Sequence, residues 1–500
     1  MTLAQLAHQA GIELMGDVLP GYGNAAVTGF AIDHRKVAPG TVFGAFRGAA
    51  VNGEDFIPAA IAAGAVAVVA RPEASVVGAA RIASDEPRRT FARLAAQFFA
   101  PVPNTVVAVT GTNGKTSTVE MTRQLWRMAG ERAASIGTLG VTTPDESVST
   151  GLTTPDIVTF LSNMAGLARE GVSHVAYEAS SHGLSQFRND GLDVAAGAFT
   201  NLSRDHLDYH ADMDDYFAAK MRLFDEVVRD GGAAVIWAGA DDPGAWSQKA
   251  IGHAKRRGLA VLTVGAQGEV LKLVGREPGQ LGQVLRIEHH GTVRTVNLPL
   301  IGAYQAANAL VAAGLVLATG GEPAQVLDAL SRLQPVRGRL ERAAITRGGA
   351  PVYVDYAHTP DALDAAIAAL RPHARGRLIL VFGAGGDRDT GKRAEMGAVA
   401  ARGADLAIVT DDNPRGEDPA AIRRAILENC PGATEIGDRR EAIGEAIRRA
   451  GPDDIVLIAG KGHEQGQIVG AGDALRVLPF DDVTVVRECA APDISAPSGV

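Results

Sequence analysis

The stretch Gly111-Thr112-Asn113-Gly114-Lys115-Thr116-Ser117 narrows what this chain can be more than any other part of it. It follows residues 104–110, NTVVAVT, an apolar and β-branched run of strand length that begins after Pro103. Residues 117–128 beyond it read as a helix. Glycines between a strand and a helix let several backbone N–H groups point at one anion, and the positive end of the helix dipole adds to them. Lys115 supplies a point charge, and the Thr116 hydroxyl can join a Mg²⁺ shell. The common loop carries a glycine five positions before Gly114, where Val109 stands here, so this is a shortened relative of it. A surface turn is the alternative, but Gly-Lys-Thr between strand and helix favours nucleotide phosphate.

At 500 residues the chain needs more than one core, and 46% apolar content rich in Ala, Val and Gly suits α/β layers. A net charge of −9 leaves no global basic footprint, which argues against duplex nucleic acid or an anionic membrane as partner. Cys430 and Cys489 match no metal or redox spacing, and are expected as reduced thiols in a cytoplasmic protein. The N-terminus MTLAQLAHQAGIEL lacks the basic and apolar blocks of a signal peptide. The most membrane-like segment, 300–320, contains Gln305 and Asn308, which predicts a buried helix in a soluble chain.

The pattern predicts an α/β protein of three domains: a small N-terminal α/β domain over 1–101, a central P-loop ATPase-like domain with a mainly parallel sheet over 102–335, and a C-terminal Rossmann-like domain over 336–488, followed by a tail, 489–500. The prolines of FFAPVPN suggest the first linker. In the central domain VSHVAYEAS, AAGAFTNLS and GAAVIWAGA alternate with helical stretches, whereas QVLRIEHHGTVRTVNLPL alternates about a Gly turn, predicting an added antiparallel hairpin. PVYVDYA, RLILVFGAGG, ADLAIVTDD and DDIVLIAGKG then restart the parallel rhythm. The polar loops GGDRD, DDNPR and GKGHE follow such strands directly, where doubly wound sheets bind ligands.

Glu178 ends a predicted strand and, if that strand is parallel to the one before the loop, falls on the loop's side of the sheet and can bind Mg²⁺; a serine-capped turn is the alternative. His206 can be a metal ligand or a solvated turn residue, and spacing leaves this open. Lys220, on a helix after several acidic residues, reads as an ordinary exposed lysine. Asp412-Asn413-Pro414-Arg415, with Arg388 and Glu464, mixes anions and cations as a zwitterion would require, or as salt-bridged loop ends do.

Taken together and in order, TGTNGKTS, YEASSHGL, TNLSRDHLDYH, AAK, GRLE, VDYAHTPD, GGDRD, DDNPR and GKGHE resemble the Mur ligase family of peptidoglycan synthesis, over about Thr28 to Val486. The resemblance implies an ATP- and Mg²⁺-dependent amide ligase in the cytoplasm, acting as a monomer on small molecules: a UDP-muramoyl dipeptide and meso-diaminopimelate. It reverses the reading of Lys220, whose family counterpart is carbamylated by CO₂ and so becomes an anion able to bind Mg²⁺ with Thr116, Glu178 and His206; Lys115, Lys220 and His206 form the catalytic set. On the same resemblance Asn308, Arg339 and Asp355 join the loop in holding ATP. Thr153, Thr154, Ser180, Gln186 and Arg188 meet the nucleotide-sugar peptide, while Arg388, Asp412, Asn413, Pro414, Arg415, Gly460 and Glu464 meet diaminopimelate. Four positions depart from the family pattern: His34 for serine, Leu152 for asparagine, and Tyr304-Gln305 for Phe-Asn. The expected chemistry runs through an acyl phosphate. A folate polyglutamate synthase shares the loop but leaves DDNPR unexplained, and a P-loop switch would hydrolyse ATP without an amino acid.

Overall fold

The computed structural model describes residues 1–12, 22–48, 51–148, 153–206, 209–239, 242, 244–279, 281–387 and 390–491. They form two compact units, Met1–Lys272 with Leu310–Val326, and Leu273–Ala309 with the chain from Leu327 onward.

The first unit opens with helix α1 (Leu3–Gln9) and a four-stranded parallel sheet of β1 (Gly29–Ala31), β2 (Thr41–Gly44), β3 (Ala65–Ala70) and β4 (Ala80–Ala83), with α2 (Ile57–Ala62) before β3. β3 is AVAVVA and almost wholly buried, as a parallel strand covered on both faces requires. Helix α3 (Pro87–Phe98) packs on this sheet, where Phe91 meets Phe30 and Phe46 edge-on at 5.2 and 5.4 Å.

The chain then runs through β5 (Thr105–Thr110), α4 (Lys115–Met128), β6 (Ala133–Gly137), β7 (Gly140–Thr142), β8 (Ser147–Val148), α5 (Ile157–Arg169), β9 (His174–Glu178), α6 (Ser181–Ser185), β10 (Val194–Phe199), α7 (Met213–Arg222), β11 (Val228–Trp237), α8 (Trp246–Arg256) and β12 (Ala260–Gly265). Within this unit the order is β12-β11-β10-β5-β9-β6-β7-β8, parallel as far as β6 and antiparallel in the short β7 and β8. Continuous apolar runs account for the parallel strands, because both faces are covered by crossover helices.

In the second unit, after β13 (Leu271–Gly279), the expected hairpin is present as β14 (Gly282–His289) and β15 (Thr292–Leu298), paired from Gln283↔Leu298 to His289↔Thr292. Its turn residues His290 and Gly291 have φ of 47° and 78°, both positive as a tight hairpin turn demands. The segment expected as a buried helix is α9 (Ala303–Ala318), and among the described residues no helix is long and apolar enough to cross a membrane. After α10 (Pro323–Ala329) come β16 (Glu341–Ile345), β17 (Pro351–Asp355), α11 (Pro360–Leu370), β18 (Leu378–Phe382), α12 (Gly391–Gly403), β19 (Leu406–Val409), α13 (Pro419–Leu427), β20 (Thr434–Glu435), α14 (Arg439–Arg449), β21 (Ile455–Ala459), the hairpin β22 (Gly466–Val469) and β23 (Arg476–Pro479), and α15 (Asp482–Ala490). The six-stranded sheet is ordered β16-β17-β21-β18-β19-β20, parallel except for β16. The loops after β17, β18, β19 and β21 therefore emerge along one edge. Buried Val483, Val485 and Val486 carry α15 to Ala490, past residue 488, and residues 492–500 of the expected tail lie outside the described residues. Both cysteines are free thiols.

Candidate active site

In the first unit β5 delivers the chain to Gly111, whose φ is 146°, and Gly114 turns it into α4 with a φ of 85°. Gly114 carries no side chain, so the N-terminus of α4, beside buried Thr116 and Ser117, has no side-chain cap. The loop is braced from outside by the residues after β10. Thr200 Oγ1 donates to Asn113 O at 2.6 Å, Asn201 Oδ1 accepts from Asn113 N at 3.0 Å, and Asn201 O accepts from Thr112 N at 2.9 Å. These struts were missed by the sequence reading, because only the pairing of β10 with β5 brings them to the loop.

Two lysines converge on one carbonyl. Lys115 Nζ donates to Gly111 O at 3.0 Å and Thr112 O at 2.7 Å, and Lys220 Nζ donates to Gly111 O at 2.7 Å. The expectation from helical spacing, an exposed Lys220, is overturned: it is 1% exposed, because Tyr216 and Lys220 lie one turn apart on the inward face of α7. Its ammonium sits 4.3 Å from the centre of the Tyr216 ring, and the Tyr216 hydroxyl lies 3.2 Å from Thr112 Oγ1. Burial, and then repulsion from Lys115, hold the Lys220 amine well below the usual lysine range against a small opposing pull from Asp205. Such an amine is held toward its neutral, nucleophilic form.

Glu178 ends β9 opposite Val109 of the parallel β5, so the carboxylate comes to the loop's side of the sheet as expected. It is buried and accepts from Thr138 N at 2.7 Å, and lies 3.3 Å from Thr138 Oγ1, two uncharged donors. His206, at a φ of 54°, lies 3.4 Å from Asp205, and its ring is 5.0 Å from that of His182 and 5.9 Å from that of Tyr216. Among the described residues no group of three or more His, Cys, Asp and Glu side chains is placed to hold a metal ion. A buried carboxylate and the Thr116 hydroxyl nevertheless suit Mg²⁺, which takes few protein ligands and keeps water and phosphate oxygens.

The residues expected at the nucleotide-sugar peptide gather beside Glu178. Thr154 Oγ1 donates to Glu178 O and lies 2.9 Å from Ser180 Oγ, while Thr153 Oγ1 is 3.1 Å from Thr138 Oγ1. Arg188 donates to Thr154 O at 2.9 Å and to Gln186 Oε1 at 2.7 Å. Burial lowers the Arg188 guanidinium, and burial followed by the like charge of Arg188 lowers Arg88 of α3, a residue the motifs did not single out. Leu152 lies outside the described residues. His34 stacks on Phe56 at 4.3 Å with ring planes 6° apart.

In the second unit Asn308 Nδ2 donates to Gln305 Oε1 at 3.1 Å and Gln305 Nε2 donates to Arg339 O at 2.8 Å, so the departing Gln305 links two of the residues expected at ATP. Asp355, the third, ends β17 and accepts from Leu340 N at 2.7 Å and Ala357 N at 2.9 Å. Burial pushes its carboxyl up to about 6, opposed by Arg339. The Arg339 guanidinium stands 4.8 Å from the centre of the Tyr356 ring.

After β19, Asn413 Oδ1 accepts from Lys461 Nζ at 2.8 Å and from Ile468 N at 2.9 Å, and its Nδ2 donates to Glu464 at 2.9 Å. Pro414 precedes Arg415, whose φ is 52°; the Arg415 backbone bridges to the strand β22, and its guanidinium donates to Gly386 O at 2.8 Å. Gly460, with a φ of 121°, brings its backbone so close that an added Cβ would stand 3.1 Å from Asp412 Oδ2. Arg388 lies outside the described residues. Lys461 was not singled out from sequence, since one lysine between two glycines carries no signal until the β19 and β21 loops are side by side.

Three family models match the chain in order: the Mur ligase family catalytic domain over 26–98, the Mur ligase middle domain over 109–316, and the Mur ligase glutamate ligase domain over 338–462. The UDP-N-acetylmuramoyl-L-alanyl-D-glutamate–2,6-diaminopimelate ligase of Zymomonas mobilis is 60% identical over 480 residues, 95% of this chain and 98% of the relative. The chain belongs to the Mur ligase family. A solved structure of a ligase of that same description superimposes on this Mur ligase with a TM-score of 0.73 at 32% identity, covering 98% of each chain. The Mycobacterium tuberculosis folylpolyglutamate synthase complexed with ADP gives a TM-score of 0.61 at 21% identity over 75% of this chain and 92% of its own, a likeness of fold alone.

Proposed function

We propose that this Mur ligase joins meso-diaminopimelate to the D-glutamate γ-carboxylate of UDP-N-acetylmuramoyl-L-alanyl-D-glutamate, with ATP converted to ADP and phosphate. The observation that carries it is 60% identity, over 95% of the chain, to a relative bearing that description. It is supported by a second-unit loop that gathers Asp412, Asn413, Glu464 and Arg415, groups suited to a zwitterion. We assign the UDP end to 1–101, the phosphate loop to 102–335 and the amino acid to 336–488.

A carboxylate is a poor electrophile. In this reading an oxygen of the glutamate carboxylate attacks the γ-phosphorus, the bond to the ADP oxygen breaks, and an acyl phosphate forms. The amine of diaminopimelate, having lost a proton, attacks the carbonyl; the tetrahedral adduct gives up a second proton from nitrogen, expels phosphate and leaves the amide. Lys115 and the first-turn N–H groups of α4 stabilise charge on the phosphates, and Arg188, Thr154 and Ser180 orient the peptide end. Asn308, Arg339 and Asp355 serve the nucleoside. Mg²⁺ would be held by Thr116 and Glu178, with His206 and a Lys220 carbamate, and supplies neutralising charge to phosphate oxygens. The carbamate forms when the neutral Lys220 amine bonds to the carbon of CO₂ and sheds a proton to solvent, turning a neutral group beside Lys115 into an anion. The protein is assigned as a cytoplasmic monomer without a nucleic-acid or membrane partner, in keeping with its net charge of −9.

An acceptor screen tests the reading. Purified protein with ATP, Mg²⁺ and the UDP-muramoyl dipeptide is offered diaminopimelate, lysine or ornithine, and ADP and amide product are quantified together. ADP release in step with amide, and strongest with diaminopimelate, is expected. ADP release indifferent to any amino acid overturns it in favour of a switch, and activity confined to a folate acceptor and glutamate overturns it in favour of the folate enzyme.

A further inference from the structure

Lys461 stands between Gly460 and Gly462 at the end of β21, and its side chain is fully buried. An ammonium has three protons to donate. Here three side-chain oxygens surround it: Asn413 Oδ1 at 2.8 Å, Glu464 Oε2 at 3.4 Å and Asp412 Oδ1 at 3.5 Å. Each of these oxygens belongs to a residue assigned above to the amine substrate. The contacts also set the Asn413 amide, whose Oδ1 faces Lys461 and Ile468 N and whose Nδ2 is thereby turned to Glu464 Oε2.

The same region has a separate structural brace. Arg439, fully buried, pairs with buried Asp482 at 2.7 Å and donates to the backbone oxygens of Ala459 at 3.0 Å and Asp411 at 3.4 Å, tying the ends of β19 and β21 together. The hydrogen bonds of the Lys461 ammonium go instead to the side chains that would face an amino acid. Two carboxylates and one ammonium leave a single net negative charge in the cluster, the complement of one substrate ammonium. Without Lys461 the carboxylates of Asp412 and Glu464 would lose the cation between them and repel one another, and Asn413 Oδ1 would be held by Ile468 N alone.

We infer that Lys461 is a positioning residue for the amine substrate: with its donors spent, it acts through Asp412, Asn413 and Glu464, holding their oxygens where a zwitterion's ammonium is received. This rests on the ligase reading, which the acceptor screen on the unaltered protein judges independently. The test measures KM for diaminopimelate, ATP and the UDP-muramoyl dipeptide in Lys461→Met, which keeps length without charge, and Lys461→Gln, which keeps donors without charge. Both should raise KM for diaminopimelate by about tenfold or more while KM for ATP and for the dipeptide stays within about twofold. Unchanged KM for diaminopimelate, or an equal rise for all three substrates, overturns the inference. Should Lys461→Met not fold, Lys461→Gln decides; should neither fold, Lys461 is a structural strut and the inference falls.

Discussion

At the residue scale, Lys220 shows a side chain whose surroundings work against its ordinary charge. A lysine buried beside a second lysine costs stability as an ammonium, and removing it relieves that cost. In CO₂-free buffer Lys220→Met should therefore melt above the wild type, since Lys115 still donates to Gly111 O, while ligase activity falls by roughly a hundredfold or more. Thermal melts and ADP release check the two halves, and a variant that melts lower or keeps its rate contradicts the burial argument. Recovery of activity in Lys220→Ala with short carboxylic acids would report the carbamate specifically. Asp355 offers a pH test. Its folded carboxyl lies at about 6 against an ordinary 3.8, so its contribution to stability is complete below 3.8 and is lost as pH rises through about 6. Asp355→Asn lacks that titration, so the melting temperature of the wild type relative to the variant should fall between about pH 4 and pH 7; a constant difference would remove burial as the dominant influence.

At the element scale, the parallel strands and the β14–β15 hairpin were legible because their hydrophobic periods differ: continuous apolar runs in one case, alternation about a Gly turn in the other. β7 and β8 were not legible. They hold three and two residues, too few to show a period, and exist because β6 offers an edge to pair with. The β22–β23 hairpin was also missed, since its strands bury no full face and β23 is exposed throughout. The start of α14 carries a testable contrast. Asp438 caps it, accepting from Glu441 N at 2.8 Å, while Arg439 spans to Asp482 of α15 with both side chains fully buried. Asp482→Ala strands a buried guanidinium and should cost about 3–5 kcal/mol. Asp438→Ala removes a surface cap and should cost about 1 kcal/mol. Denaturant midpoints at unchanged m-value measure both, and equal costs would mean the buried pair is not the stronger tie.

At the scale of the whole molecule, the linker signal at FFAPVPN marks a change of sheet, yet the N-terminal and central sheets share one compact unit. Helix α3 explains this. Gly191, with a φ of 88°, lets its loop approach so closely that an added Cβ would meet Ala96 Cβ at 2.7 Å, and Arg89 lies 3.7 Å from Asp190 and 3.5 Å from Glu226. Calorimetry should accordingly resolve two unfolding transitions, with the N-terminal and central sheets melting together; three would show that α3 does not couple them. The amino-acid order by itself determined the α/β class, the parallel sheets, the phosphate loop and the family, because these rest on local periodicity and on motifs contiguous in the chain. Only the tertiary structure decided that Lys220 is buried, that Thr200 and Asn201 brace the loop, and that Lys461 sits among Asp412, Asn413 and Glu464. Those facts depend on which strands become neighbours, and neighbouring strands here lie tens of residues apart in sequence, beyond the reach of any local pattern.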